Sequence, residues 1–187
     1  MITKRFPERI SIGGITLKKV SANNENDVHK ELLHLYKINR NHLFYWHHEI
    51  KELLFNSTAD IINHIRKYRL ICYAVYYCTK ISGYIEITKP ERDEDDKKCR
   101  TLSFWVDKDN VRKGIMYACL KALEKHFIAQ GTDVLCADTD ADNISSISLL
   151  EKSGYKKYMA SFLVPSDGKT LCSVCSLQKT IIKRKAV

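Results

Sequence analysis

The residues that precede the strongest helix signal of the chain are suited to binding an anion. Arg112, Lys113 and Gly114 stand at the start of a helix predicted over 114–129. The first turn of a helix has unpaired N–H groups and a partial positive charge, and both favour a phosphate. Glycine allows close approach of the backbone, and two cationic side chains can add charge-assisted hydrogen bonds. An ordinary basic helix start has the same composition, so this turn by itself only indicates a phosphate site.

An asparagine opens the next helical segment. Asn143 precedes Ile144, Ile147 and Leu150, whose spacing predicts a short helix that ends at Ser153–Gly154. The side-chain amide of asparagine donates and accepts, so Asn143 can pair with an amide group of a ligand. The same side chain can cap the helix by accepting from a free N–H group of its first turn. The two roles can coexist.

One carboxylate lies on the polar face of a predicted strand. Residues 81–88 alternate, with Ile81, Gly83, Ile85 and Ile87 on one face and Ser82, Tyr84, Glu86 and Thr88 on the other. Glu86 could take a proton from an amine through a water molecule. A strand glutamate that only faces solvent fits the same pattern, so both interpretations stay open.

The elements that must position these residues form a mixed α/β order. Periodicity and turn residues predict strands over 15–20, 70–77, 81–88, 101–106, 134–137, 155–163 and 170–177. Four helices are predicted: one over 26–39, one that begins after a cap at Ser57 or Thr58, one over 114–129 and one that begins after Asn143. We expect a looser segment over 41–46 and an exposed loop over 90–98. This order indicates one central sheet in one domain. We assign 1–14 to an N-terminal extension, 15–180 to the domain and 181–187 to a basic tail.

Three segments carry a resemblance to a known family. They are Ser103–Asp107 with Asn110–Met116, Thr139–Ser146 with Leu149–Tyr155, and Asn39–Trp46. In this order they resemble the GNAT superfamily of N-acetyltransferases, and within it the branch that acetylates the N-terminal serine or alanine of ribosomal proteins. The resemblance covers about 15–180 and is most specific over 103–155.

The resemblance implies a fold, a donor and a set of binding residues. The fold would be a mixed, mostly antiparallel sheet of about seven strands with about four helices. The donor would be acetyl-CoA, with coenzyme A as product. The donor would contact the β-strand residues Phe104, Trp105 and Val106, the turn residues Val111, Arg112, Lys113, Gly114, Ile115 and Met116, and the pair Asn143 and Ser146. The acceptor would contact His42, Trp46 and Tyr84.

The resemblance also implies two catalytic residues. Ser146 would be the acid that protonates the departing thiolate, because small-amine relatives have their acidic tyrosine where this chain has Leu150. The ribosomal branch can carry a glutamate beyond its sixth strand, but residues 162–165 contain none, so Glu86 is our candidate base. The chain departs from the family at Arg112, where a glycine is usual, and at Met116, where a small residue is frequent.

The acceptor is the open question at this point. We expect a protein N-terminus, with ribosomal proteins among the candidates, and a monomer or homodimer. One alternative is a small amine or an antibiotic as acceptor. Another is a non-catalytic module that binds acetyl-CoA or RNA, which Arg112 and the net charge of +9 leave open. Direct nucleic-acid binding is the less favoured expectation, because the charge is spread along the chain.

Composition limits the location and the chemistry. The sequence contains no run of eighteen apolar residues, and its first residues lack a signal-peptide core, so we expect a cytoplasmic protein without a membrane span. Of the seven cysteines, Cys172 and Cys175 form a lone C-x-x-C pair. A zinc site needs further ligands, so we expect no metal.

Overall fold

The computed structural model describes residues 5–46, 55–163 and 172–181, without the side chains of 44–46, 160–163 and 172. Within these ranges it contains nine strands and four helices. The strands are β1 (Arg9–Ile12), β2 (Ile15–Lys19), β3 (Ile71–Tyr77), β4 (Lys80–Ile87), β5 (Glu91–Arg92), β6 (Lys98–Val106), β7 (Val134–Asp140), β8 (Lys156–Leu163) and β9 (Cys172–Thr180). The helices are α1 (Asp27–Trp46), α2 (Thr58–Tyr68), α3 (Ile115–Ala129) and α4 (Ile144–Lys152).

The strands form one open sheet in the order β1-β2-β3-β4-β6-β7-β9-β8, with β5 paired to β6. Every pairing among the described strands is antiparallel except that of β6 with β7. The expected single mixed α/β domain is therefore confirmed. The sheet has more strands than the seven expected. One of them, β1, lies within residues assigned to an extension and pairs with β2 across Gly13 and Gly14, which both have positive φ.

Two apolar clusters pack on opposite faces of the sheet. The alternation of side chains along each strand decides which cluster a residue joins. One face packs against α3 and α4 through Tyr73, Val75, Ile85, Ile87 and Leu102. The other packs against α1 and α2 through Cys72, Ala74, Tyr76 and Tyr84. We call these the α3/α4 face and the α1/α2 face.

Helix α1 is longer than predicted. It continues through the expected looser segment to Trp46, although Asn39 interrupts its apolar stripe. This buried amide is satisfied, because its Nδ2 donates to the Leu35 carbonyl at 3.0 Å and its Oδ1 accepts from the Lys108 N–H at 3.0 Å. Leu43 then continues the buried stripe. A polar residue with internal partners is compatible with a buried helix face.

The alternation predicted for 81–88 is wrong at its first residue. The register of β3 with β4 passes from Val75–Gly83 to Tyr76–Ile81, so Ser82 is the extra residue of a β-bulge. Because the bulge reverses the alternation, Ile81 packs on the α1/α2 face instead of beside Ile85. Tyr84 and Glu86 keep the face that the sequence predicts.

Gly83 allows β4 and β6 to approach closely. A Cβ atom at this position would lie 2.6 Å from the Trp105 carbonyl oxygen and 3.3 Å from the Val106 Cα, and both are backbone atoms. We therefore expect Gly83→Ala to lower the free energy of unfolding by about 1–3 kcal/mol, the usual cost of overpacking. Urea denaturation measures this, with Ser103→Ala at an exposed position of β6 as the control. Equal stability of the two variants would contradict the close approach.

Candidate functional site

Strands β6 and β7 separate in the middle of the sheet. Their parallel pairing runs from Cys99–Val134 to Thr101–Cys136 and stops there. Beyond that point β6 continues to Val106 against β4, while β7 continues to Asp140 against β9. The two strands therefore leave a gap between residues 102–106 and 137–140. A gap of this kind presents backbone groups that have no neighbouring strand.

Backbone alternation identifies the β6 residues that face the gap. The Asp107 N–H donates to the Ser82 carbonyl at 2.9 Å, and the Thr101 carbonyl accepts from Thr88 at 3.0 Å. Odd-numbered residues of β6 therefore direct their backbone groups to β4, and even-numbered residues direct theirs the other way. Phe104 and Val106 thus turn an N–H and a carbonyl toward the gap. We predicted that Trp105 would contact acetyl-CoA together with these two residues, but its backbone groups are directed to β4.

The turn before α3 has an unusual backbone. A short 3-10 helix, Lys108–Asn110, is followed by Val111, then by Arg112 with φ of 62° and by Gly114 with φ of 73°. Gly114 is the N-cap of α3, and among the described residues no atom outside its two chain neighbours lies within 4 Å of the position a Cβ would take. Side chains do not cap this helix, and its first turn has no acidic residue. The N–H groups that open α3 are therefore open to an anion.

Cationic side chains surround this helix start. Arg112 and Lys113 are exposed, and the Lys113 Nζ donates to the Asn110 side chain at 2.8 Å. Over the first two turns of α3, the Nζ atoms of Lys121 and Lys152 lie 5.9 and 5.1 Å from the Tyr117 ring centroid. The start of α3 and the adjacent end of α4 thus form a positively charged surface with an aromatic ring.

Arg112 occupies a backbone conformation that favours glycine, which explains the glycine usual at this position. We expect Arg112→Gly to be more stable than Arg112→Ala by about 1 kcal/mol, because a side chain in the left-handed region costs about 1–2 kcal/mol. Both variants lose the guanidinium, so both should show a higher KM for the expected donor, acetyl-CoA. Urea denaturation and steady-state kinetics measure the two effects. Lower stability of the glycine variant would contradict this backbone assignment.

Helix α4 begins at the end of β7, on the α3/α4 face. Asn143 is its N-cap, and its Oδ1 accepts from the Ser146 N–H at 3.1 Å, so the capping role read from the sequence is present. Ser146 is half-buried, whereas Ile147 and Leu150 are buried in the cluster of that face. Leu150 is a core residue without a hydroxyl, and Ser146 is the one half-buried serine of α4, whereas Ser145 and Ser148 are exposed.

Glu86 lies on the opposite, α1/α2 face, and it has a partner that the sequence did not suggest. Its Oε1 is 2.9 Å from the Nε2 of His64 on α2. The side chains of His64 and Glu86 are only 10% and 17% exposed. Glu86 is therefore neither the solvent-facing strand residue considered above nor a lone carboxylate.

Two neighbouring groups stay protonated at neutral pH. Burial, and then the Glu86 carboxylate, raise the pKa of the Cys72 thiol well above its usual value. Burial, followed by Cys72 and Glu86, raises the pKa of the Tyr84 hydroxyl in the same way. Within the described residues this hydroxyl has no hydrogen bond of good geometry, although it lies close to both groups. Neither the thiol nor the hydroxyl is therefore available as a base beside Glu86.

The three residues predicted to contact the acceptor differ in how far they are exposed. His42 is half-buried near the end of α1, and Trp46 is the last residue of that helix, with a side chain outside the described part. The Tyr84 ring is buried in the α1/α2 cluster and lies beside Trp105, with 6.2 Å between ring centroids. Tyr84 thus presents no ring surface to solvent. All three residues belong to elements of the same side of the sheet as Glu86.

A family model described as an acetyltransferase (GNAT) domain matches residues 20–161, more than half of the 187 residues. The chain belongs to the GNAT acetyltransferase family. It is therefore an acyltransferase, and acetyl-CoA is its acetyl donor. The residues present fit this molecule, because its phosphates match the open start of α3 and the surrounding cations, and its amides match the backbone groups that Phe104 and Val106 turn toward the gap.

Solved structures of other acetyltransferases share this fold. A RimL ribosomal L7/L12 α-N-protein acetyltransferase in complex with coenzyme A has a TM-score of 0.76 at 15% identity, over 95% of this chain and 100% of that one. A ribosomal-protein-S5-alanine acetyltransferase from Vibrio fischeri has 0.74 at 16%, over 95% and 99%. The microcin C7 self-immunity acetyltransferase MccE, in complex with acetyl-CoA and AMP, has 0.72 at 16%, over 90% and 93%.

The sequence matches no curated protein. None of the helices in the described ranges is long and apolar enough to cross a membrane.

Proposed function

We propose that this GNAT enzyme acetylates the N-terminal α-amine of a protein, with Glu86 as base and Ser146 as acid. The arrangement of the gap carries the proposal. Glu86 lies on the α1/α2 face of β4, opposite Ser103 of the gap-lining strand β6, and Ser146 lies on the α3/α4 face in the first turn of α4. A proton acceptor and a proton donor on opposite sides of one opening suit a transfer between two molecules that enter from opposite faces.

The α3/α4 face would hold the donor. The start of α3, from Val111 to Met116, would bind the phosphates, and Asn143 together with the backbone of Phe104 and Val106 would bind the amide-containing arm. Bound acetyl-CoA supplies an acetyl group activated as a thioester. The Val106 and Phe104 N–H groups are the backbone donors that face the gap, so they can stabilise negative charge on an acyl oxygen.

The α1/α2 face would receive the acceptor amine. An α-amine has a pKa of about 8, so at neutral pH part of it is already free to react, and a carboxylate has only one proton to remove as the new bond forms. Glu86 would hold that proton on its carboxylate. Ser146 would give its Oγ proton to the departing sulfur from the other face and would regain a proton from water.

The choice of a protein acceptor rests on two considerations. RimL and the S5-alanine enzyme, which act on ribosomal proteins, share the fold over nearly the full length of both chains. The buried Leu150 also stands where small-amine relatives have their acidic tyrosine, so this chain has no tyrosine hydroxyl at that position of α4. An acceptor of this kind is made in the cytoplasm, where the sequence also predicts the protein.

A thiol-release assay tests the proposal. The enzyme is incubated with acetyl-CoA and with peptides that begin with serine or alanine, either free or blocked at the α-amine, and with polyamines and aminoglycosides. We expect coenzyme A release with the free peptides and background release with their blocked forms. Release only with the small amines would contradict the protein acceptor.

A further inference from the structure

The contact between His64 and Glu86 joins two elements far apart in the chain. The residues are separated by 22 positions, one on α2 and one on β4, and the Nε2–Oε1 distance is 2.9 Å. Both side chains are largely buried. Because a buried carboxylate is costly without a hydrogen-bond donor, this contact has a stabilising role of its own. It also fixes the orientation of the carboxylate that faces the acceptor side.

Helix α2 is held firmly where it presents His64. Ser57 and Asp60 form a capping box at its start, and Ile61 and Ile65 are buried against the sheet. Beyond His64, the Arg66 guanidinium donates to the carbonyls of Ala22 and Asn23 at 2.6 and 3.2 Å. The helix is therefore anchored at its start, along its buried face and to the segment before α1. An anchored helix places an imidazole more reproducibly than a loop does.

Aromatic neighbours fix the plane of the imidazole. The Phe55 ring meets it edge to face, with 5.4 Å between centroids and 71° between planes. The Tyr68 ring lies 5.1 Å away at 59°. A carboxylate oxygen accepts and does not donate, so Nε2 carries the proton of its 2.9 Å hydrogen bond with Oε1.

We propose that His64 is a positioning residue for Glu86. Its Nε2–H holds Oε1 and leaves Oε2 for the proton that the acceptor amine loses. In that step the lone pair of the amine would form the bond to the acetyl carbon, and the C–S bond of the thioester would break with its electron pair leaving on sulfur. An N–H bond would break at the same nitrogen, with its proton passing to Oε2 and its electron pair staying on nitrogen. The proposal rests on Glu86 being the base of the proposed function. It makes α2 part of the catalytic machinery.

Two variants of His64 test this role. Glutamine keeps an N–H donor near the position of Nε2, and leucine keeps apolar volume but has no donor. We expect His64→Leu to lower kcat roughly 10- to 100-fold, since loss of a group that only orients another typically costs this much. We expect His64→Gln to recover most of the rate, and both variants to keep the wild-type KM for acetyl-CoA. His34→Leu, on the exposed side of α1, is the control that should keep the full rate.

The outcomes separate this role from the proposed function. If the wild-type enzyme releases no coenzyme A with any free peptide, the proposed function fails, and the role of His64 fails with it. If the wild type turns over and His64→Leu turns over equally fast, only the positioning role is overturned. Equal losses in the leucine and glutamine variants, matched by equal losses in melting temperature, would overturn it as well, because they would reflect packing alone.

Discussion

Glu86→Gln is expected to lower kcat by about 10²- to 10⁴-fold, the usual contribution of a general base. Glutamine has nearly the same shape and can still accept a hydrogen bond from the His64 Nε2 at its carbonyl oxygen. It cannot take a proton, so the loss falls on the chemical step. Because Glu86 lies on the α1/α2 face, away from the start of α3, the KM for acetyl-CoA should change little. Steady-state kinetics with a saturating peptide measure both constants.

A matched glutamate distinguishes this effect from a general loss of charge. Glu91 is exposed on β5, and Glu91→Gln should keep the wild-type rate. A thermal melt should show that Glu86→Gln is folded, although replacing the largely buried carboxylate weakens its hydrogen bond with His64 and lowers its stability. If Glu86→Gln retained the full rate across the pH range, water or another group would be the base.

Ser146→Ala is expected to lower kcat by about 10²-fold, at the lower end of acid–base contributions. The effect is smaller than that of Glu86 because a thiol has a pKa of about 8.5, and its anion leaves with little assistance at neutral pH. The cap of α4 survives this substitution, since Asn143 accepts from the backbone N–H of Ser146 and not from its hydroxyl. The variant therefore removes the Oγ proton and leaves the cap of α4 unchanged, so a lower rate reports the role of the proton.

The matched control is on the same helix. Ser148 is exposed, and Ser148→Ala removes an equivalent hydroxyl from the solvent side of α4. The two variants should melt at the same temperature and differ only in rate. A rate at Ser146→Ala equal to that at Ser148→Ala would remove Ser146 from the mechanism.

Local signals in the sequence predicted the elements that hold the donor side of the site. The apolar stripe of α3 and the Asn143 cap of α4 depend on residues within a few turns of each other, so spacing alone reveals them. A Gly-Gly pair between two alternating segments is also a local hairpin signal, which the assignment of residues 1–14 to an extension overlooked. The predicted resemblance to acetyltransferases is confirmed by the family match.

The acceptor side depends on contacts that spacing does not reveal. His64 lies three residues after Ile61 and directly before Ile65 on α2, so its position on the buried side of the helix could be predicted from the sequence. Its partner on β4 was not, because that contact depends on how α2 crosses the sheet. The β-bulge at Ser82 and the left-handed backbone at Arg112 likewise follow from pairing and loop closure, not from residue type. These are the positions where side-chain patterns and the final backbone disagree.

The site of the transferred acetyl group tests the central claim most directly. A peptide that begins with serine and contains one internal lysine is incubated with the enzyme and acetyl-CoA, and the product is sequenced by tandem mass spectrometry. The arrangement of Glu86 and Ser146 on opposite faces of the gap, with a protein as acceptor, predicts one acetyl group on the α-amine and none on the lysine. Acetylation of the lysine alone, or no acetylated peptide from an enzyme that acetylates a small amine, would contradict the claim.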